Sequence, residues 1–137
     1  KDGVTFTGDT AMDYNMVGWF EIPVADMDCA KKFYEAVFQI EISLEDFGGT
    51  QMGWFPADHG KPGAAGSLIQ NKDWYKPSET DGVMVYFNSL DVQNELGRIE
   101  SNGGKIIQSK TQIRPDIGYM AVFLDSEGNR IALHSRQ

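Results

Sequence analysis

The sequence predicts an α+β fold in which two βαβββ modules form curved mixed sheets around a central cleft. The first observation is an internal repeat, because a β-like segment, a helix and three short β-like segments occur from about residue 17 to 72 and again from about 82 to 135. The second is length, since 137 residues suffice for one compact core. The two copies are therefore predicted to be halves of a single domain over residues 17–137.

The first module is predicted mainly from its helix. Asp26 is a suitable N-cap, and the apolar residues that follow it recur at helical spacing on one face: Ala30, Phe33, Tyr34, Val37 and Phe38. Apolar or alternating runs bounded by glycine and proline predict the strands of this module, which are 17–24, 40–44, 52–55 and 66–70. Residues 1–16 lack such periodicity, and we expect them to form a flexible lead-in.

The second module repeats this order. Asp91 is predicted to cap a helix whose Val92, Leu96 and Ile99 share one face, and Gly103 supplies a left-handed stop. The same strand criteria predict four segments, which are 83–87, 105–109, 119–124 and 129–134.

Composition excludes several classes of partner. The net charge of −8 argues against binding to nucleic acid or to an anionic membrane, because both require a concentrated basic surface. No apolar run approaches the roughly 18 residues of a transmembrane helix. The single cysteine, Cys29, excludes an internal disulfide and is compatible with a reducing compartment, so we expect a cytoplasmic protein.

Four separated motifs resemble the vicinal oxygen chelate superfamily, which contains glyoxalase I, extradiol dioxygenases and bleomycin-resistance proteins. They are Trp-Phe-Glu-Ile-Pro-Val-Ala-Asp-Met-Asp at 19–28, the helix at 32–38, Ile-Glu-Ser-Asn-Gly-Gly-Lys at 99–105 and Phe-Leu-Asp-Ser-Glu-Gly-Asn-Arg-Ile at 123–131. The resemblance implies the paired-module fold and a homodimer. It leaves the activity open, because this fold hosts several reactions and also simple binding.

The resemblance also implies four metal-ligand positions. By alignment on the motifs they fall at Trp19, Ser67, Met84 and Ala132. Divalent metals require oxygen, imidazole or thiolate donors, which an indole, a thioether and a methyl group do not supply. We therefore predict no metal and no cofactor.

Glu21 and His134 are the candidate catalytic pair. Each lies two positions beyond an implied ligand position, so each is expected on the same strand face as that position. A carboxylate beside an imidazole in one pocket could act as a base and its orienting group. The alternative is structural, with His134 hydrogen-bonded locally at a strand end and Glu21 anchoring a loop or facing solvent.

Aromatic and neighbouring side chains are the candidate ligand-binding residues. They are Trp19, Trp54, Ser67, Met84, Tyr86 and Tyr119, and an aromatic cleft without metal suits a planar or cationic guest. The resulting hypothesis is a homodimeric, metal-independent protein that binds a small organic molecule. The alternatives are a lyase or isomerase related to glyoxalase I, working through Glu21 and His134 or a displaced metal, and a regulatory module that serves a protein partner.

Overall fold

The computed structural model describes residue 15 and residues 17–137. The predicted lead-in over residues 1–16 therefore lies, apart from Asn15, outside the described residues. In chain order the elements are β1 (Trp19–Pro23), α1 (Met27–Phe38), β2 (Ser43–Asp46), β3 (Gln51–Trp54), β4 (Ala65–Gln70), β5 (Val85–Asn88), α2 (Val92–Ile99), β6 (Lys105–Arg114), β7 (Gly118–Leu124) and β8 (Arg130–Ser135).

The strands form two four-stranded sheets with the same topology. The order is β1-β4-β3-β2 in the first sheet and β5-β8-β7-β6 in the second. In each sheet the first strand pairs in parallel with the fourth, while the remaining pairs are antiparallel. The prediction of two βαβββ modules is confirmed, and it places β1 and β5 at the edges of their sheets.

Both helices begin and pack as predicted. The Asp26 carboxylate accepts a hydrogen bond of 3.1 Å from the Cys29 N–H, and Asp91 accepts one of 3.0 Å from the Gln93 N–H. The predicted apolar faces are buried except at Phe38, which is partly buried; the buried residues are Ala30, Phe33, Tyr34 and Val37 in α1 and Val92, Leu96 and Ile99 in α2. Within the described residues, neither helix is long and apolar enough to cross a membrane.

Two strands differ from their predicted limits by three residues or more, and the others by one or two. The second strand begins at Ser43 instead of residue 40, because Ile42 is buried while its N–H donates to the Glu35 carboxylate at 2.9 Å instead of to a strand. Strand β6 continues to Arg114, five residues further than predicted. Most side chains of this extension are exposed, so it lacks the apolar alternation that marks a half-buried strand.

One continuous hydrophobic core joins the modules. The ring centroids of Phe33 in α1 and Phe123 in β7 are 6.1 Å apart, and those of Tyr34 and Phe87 are also 6.1 Å apart. The helix-facing sides of both sheets contribute to this core. The opposite side of each sheet, here called its outer face, is consequently directed away from the core.

A buried polar network also ties the modules together. The Tyr34 hydroxyl in α1 donates to the Asp125 carboxylate at 2.7 Å, and both residues are buried. Burial raises the pKa of both groups, and the nearby Asp125 carboxylate raises that of Tyr34 further. Asn129 donates to the carbonyl of Pro23 at 2.7 Å, and Glu127 accepts from the backbone N–H of Ala25. The β7–β8 hairpin is thereby fixed against the end of β1, which carries candidate site residues.

Candidate functional site

Three outer-face side chains of the first sheet form one cross-strand row. Glu21 of β1 is in register with Ser67 of β4, and Ser67 is in register with Trp54 of β3. Phe20 and Ile22, the neighbours of Glu21, pack with the core, so alternation along the strand directs Glu21 to the outer face. The row brings together three of the predicted site residues.

Trp54 of this row is paired with a second indole, that of Trp19. Trp19 is on β1 and Trp54 on β3, on either side of β4, and their ring centroids are 6.3 Å apart at an interplanar angle of 83°. Two strands with one strand between them are about 9–10 Å apart. The ring centroids are closer than this, so the two indoles lean toward each other across β4. Phe47 packs nearly parallel to Trp54 at 6.2 Å. We call Trp19, Trp54 and Phe47 the aromatic surface; they are 44%, 37% and 55% exposed.

Glu21 is held by a tyrosine that the sequence analysis did not select. The Tyr75 hydroxyl donates to Glu21 Oε1 at 2.5 Å, and this hydrogen bond raises the pKa of Tyr75. Tyr75 lies in the connection between β4 and β5. The available signal was the aromatic pair Trp74-Tyr75 in an otherwise polar, proline-containing connection.

Ser67 has an unusual environment for a hydroxyl group. Its side chain is buried, and its Oγ has no hydrogen-bond partner among the described residues. A buried polar group without a partner costs about 1–3 kcal/mol. Such a group at the centre of the row, between Glu21 and Trp54, is a candidate for a ligand contact.

The first of two cavities at the junction of the modules opens beside Glu21. It has a volume of about 410 Å³ and lies between β1 and residues that precede β5 and begin β8. Trp19 and Glu21 line it from the first module, while Lys76, Glu79 and Arg130 are among the charged residues on the other side. This volume is sufficient for a small organic molecule.

The second cavity is more apolar and has a volume of about 510 Å³. Met84 and Tyr86, two of the predicted ligand-binding residues, line it together with four phenylalanines: Phe20, Phe38, Phe55 and Phe87. These rings also pack with the core, so this cavity is continuous with the interior of the protein. Met84 and Tyr86 thus lie apart from the predicted ligand-binding residues on the first sheet, Trp19, Trp54 and Ser67.

His134 lies on the other sheet from Glu21. It is on β8, in register with Asn88 and Met120, and its Nε2 is 2.8 Å from the carbonyl oxygen of Ile117. The cavity that Glu21 lines is not lined by His134. The structure therefore does not bring the predicted catalytic pair together within one chain.

Tyr119 is separated from the other predicted residues. It is in register with Ser135, whose hydroxyl accepts from the Val92 N–H at the start of α2, so this row faces the helix. The Lys110 Nζ lies 4.7 Å from the centroid of the Tyr119 ring. These contacts support a packing role for Tyr119 on the helix-facing side of the second sheet.

The side chains at the implied metal-ligand positions do not fit a metal ion. In the observed register Glu21, not Trp19, lies opposite Ser67, and Tyr86, not Met84, lies opposite Ala132. Glu21 is the only carboxylate in these two pairs, and a single carboxylate with a serine and a phenol is a poor set for a divalent cation. The described part of the chain contains no group of three or more His, Cys, Asp or Glu placed to hold one.

Comparison with known proteins identifies the family. A family model named Glyoxalase/Bleomycin resistance protein/Dioxygenase superfamily matches residues 16–133. The chain belongs to this superfamily. The match spans both βαβββ modules, begins before β1 and ends within β8, one residue before His134.

Individual members of the superfamily are similar over most of the chain. A "Glyoxylase-like domain-containing protein" from Didymella fabae is 25% identical over 127 residues, which are 90% of this chain and 95% of that protein. A glyoxalase I mutant from Zea mays superposes with a TM-score of 0.69 and 19% identity over 87% of this chain. The chain spans 45% of that maize enzyme, less than half its length.

An antibiotic-binding protein from a Streptomyces species is similar at full length. It superposes with a TM-score of 0.63 and 22% identity, covering 93% of this chain and 100% of the other. At this identity the similarity shows a common fold, which in this superfamily supports more than one activity.

Proposed function

We propose that this superfamily member binds a small organic molecule on the outer face of its first sheet, without a metal ion. The observation that carries the proposal is the half-exposed indole pair, Trp19 and Trp54, beside Glu21 and the unpartnered Ser67 hydroxyl. Indoles provide a large rigid apolar contact, while the polar groups orient a guest.

Superfamily membership supports a binding role. The Streptomyces protein with the same fold is an antibiotic-binding protein, so small-molecule capture is compatible with this architecture. In this chain the proposed binding residues are two tryptophans and a glutamate, and they do not form a metal centre. The affinity for the ligand therefore depends on aromatic and polar contacts.

Metal independence follows from the donor chemistry of the site. The positions facing one another in the two parallel strand pairs are Glu21 with Ser67 and Tyr86 with Ala132. One carboxylate does not replace the three or four protein ligands that commonly hold zinc. Ligand binding is accordingly expected to be insensitive to chelators.

Thermal denaturation in the presence of a library of small aromatic compounds tests this proposal. A ligand at about 100 times its Kd stabilises the native state by about 2.7 kcal/mol. This corresponds to a rise in Tm of roughly 5–10 °C for a protein of this size. The same rise is expected with and without EDTA, and elemental analysis is expected to find no stoichiometric transition metal. Loss of the rise in EDTA would contradict metal independence.

The enzymatic alternative, a lyase or isomerase using Glu21 and His134, receives no support from the geometry of one chain. Glu21 accepts from Tyr75, His134 lies against the Ile117 carbonyl, and the two are on different sheets. A general base must reach the proton that it removes, directly or through one water. These two side chains would have to act from separate positions.

We also propose a homodimer in which a second copy covers outer-face surface. Apart from the aromatic surface assigned to the ligand, Tyr86 on β5 is 52% exposed, and Ile107 and Ile113 on β6 of the same sheet are 50% and 44% exposed. Exposed apolar area of this kind is typical of surfaces that bind a partner. A two-fold axis would allow both copies to use the same surface.

Light scattering at about 20 μM is expected to give the mass of a dimer, because a specific interface persists at this concentration. Tyr86→Asp introduces a charge on the outer face of the second sheet and is expected to shift the mass toward the monomer. Trp74→Asp is the matched control, since Trp74 is 82% exposed in the connection between the modules. A monomeric wild-type protein would contradict the dimer.

A further inference from the structure

We propose that the ligand is an organic cation with an apolar or aromatic body, whose ammonium group lies between the Glu21 carboxylate and the indoles of Trp19 and Trp54. This inference rests on the proposed binding function and specifies the chemical class of its ligand. Three features of the site support it: Glu21 has no cationic partner among the described residues, the two indoles are open to a ligand, and the cavity beside Glu21 carries more acidic than basic residues.

The Glu21 carboxylate lacks a cationic partner in the described part of the chain. The ion pairs found there involve other residues, and the polar contact of Glu21 is the Tyr75 hydroxyl on Oε1. A neutral hydroxyl leaves the negative charge uncompensated. Partly buried charges are usually paired, so a ligand ammonium would supply the missing partner.

The indoles are suited to a cation. Trp19 and Trp54 are nearly perpendicular, at 83°, which sets the face of one ring toward the edge of the other and leaves both partly open. The negative face of an indole attracts an ammonium group, and among aromatic side chains tryptophan does so most strongly. Tyr75 adds a third aromatic residue at the carboxylate. The apolar body of the ligand would extend along the aromatic surface.

The local charge also favours a cation. The acidic residues lining the cavity beside Glu21 are Glu21, Glu79 and Asp81, against the basic Lys76 and Arg130. The whole chain carries a net charge of −8. Both the local and the overall field therefore attract cations and repel anions.

Calorimetric titration with three probes of similar size tests the inference. The probes are benzylammonium, benzyl alcohol and phenylacetate, which share a phenyl ring and differ in charge. We expect benzylammonium to bind about tenfold more tightly than benzyl alcohol, and phenylacetate to bind most weakly. In Glu21→Gln, which keeps an acceptor for Tyr75 but removes the charge, the cation is expected to lose this preference over the alcohol.

Glu41→Gln is the matched control, because it removes the same charge at an exposed position outside both cavities. It is expected to preserve the tenfold preference. Equal preference in wild type and Glu21→Gln, or tightest binding of phenylacetate, would overturn the inference.

Trp54→Ala separates failure of the inference from failure of the proposed function. If the cation has no preference but Trp54→Ala weakens all probes that bind, the cation inference is wrong and aromatic binding stands. If probes bind and Trp54→Ala changes none of their affinities, both are wrong.

Discussion

Replacing Trp54 by alanine is expected to weaken binding of an aromatic ligand by about tenfold to a hundredfold, or roughly 1.4–2.8 kcal/mol. Trp54 contacts both other members of the aromatic surface, Trp19 at 6.3 Å and Phe47 at 6.2 Å between centroids. Its removal therefore deletes one stacking surface and loosens the other two. Trp19→Ala should have a smaller effect of the same sign, because among the described residues Trp19 has one aromatic ring partner, Trp54, whereas Trp54 has two. Titration calorimetry measures both.

Trp74→Ala is the control for these variants. Trp74 is 82% exposed and lies in the connection between β4 and β5, so its loss is expected to leave affinity unchanged. Trp54→Phe should retain part of the affinity, since a smaller ring still stacks. Equal effects of Trp54→Ala and Trp74→Ala would place the ligand away from the aromatic surface.

Replacing Asp125 by alanine is expected to lower the free energy of unfolding by about 3–5 kcal/mol. The buried carboxylate accepts from the Tyr34 hydroxyl, from the backbone N–H groups of Glu127 and Asn129 and from the Asn129 side chain. Alanine leaves these donors without that acceptor in a region closed to water. Because the network joins α1 to the β7–β8 hairpin, its loss weakens the contact between modules. Urea denaturation followed by circular dichroism measures the effect.

Two variants calibrate this result. Tyr34→Phe keeps the ring in the core and removes one hydrogen bond, so a loss of about 1 kcal/mol is expected. Asp116→Ala removes an exposed carboxylate paired with Arg114, and exposed ion pairs contribute at most about 1 kcal/mol. If Asp125→Ala were no more destabilising than Asp116→Ala, the network would not hold the modules together.

The fold could be predicted in large part from the sequence because its main signals are local. The apolar face of α1 and the caps Asp26 and Asp91 depend on spacing within one helix, and the structure reproduces them. The repeat fixes the order of the elements. Strand limits were less predictable where a residue is buried without belonging to a strand, or belongs to a strand without being buried. Ile42 is an example of the first case and the end of β6 of the second.

The candidate site was only partly predictable, since it depends on how strands and modules meet. Alternation along one strand places Glu21 on the same face as Trp19, whereas the row that joins Glu21 to Ser67 and Trp54 depends on the register between strands. The expected pocket shared by Glu21 and His134 depends on the packing of two sheets, and no strand period encodes this packing. Tyr75 was missed because a long connection returns it to β1, a contact without periodic signal.

The indole N–H resonances of the protein offer the most direct test of where the ligand binds. The chain has three tryptophans, of which Trp19 and Trp54 form the aromatic pair and Trp74 lies apart from them. Their ¹⁵N–¹H signals can be assigned with single Trp→Phe variants. On titration with a ligand found by thermal denaturation, we expect the Trp19 and Trp54 signals to shift in proportion to occupancy while that of Trp74 stays in place. Saturable binding that leaves Trp19 and Trp54 unshifted would contradict binding on the outer face of the first sheet.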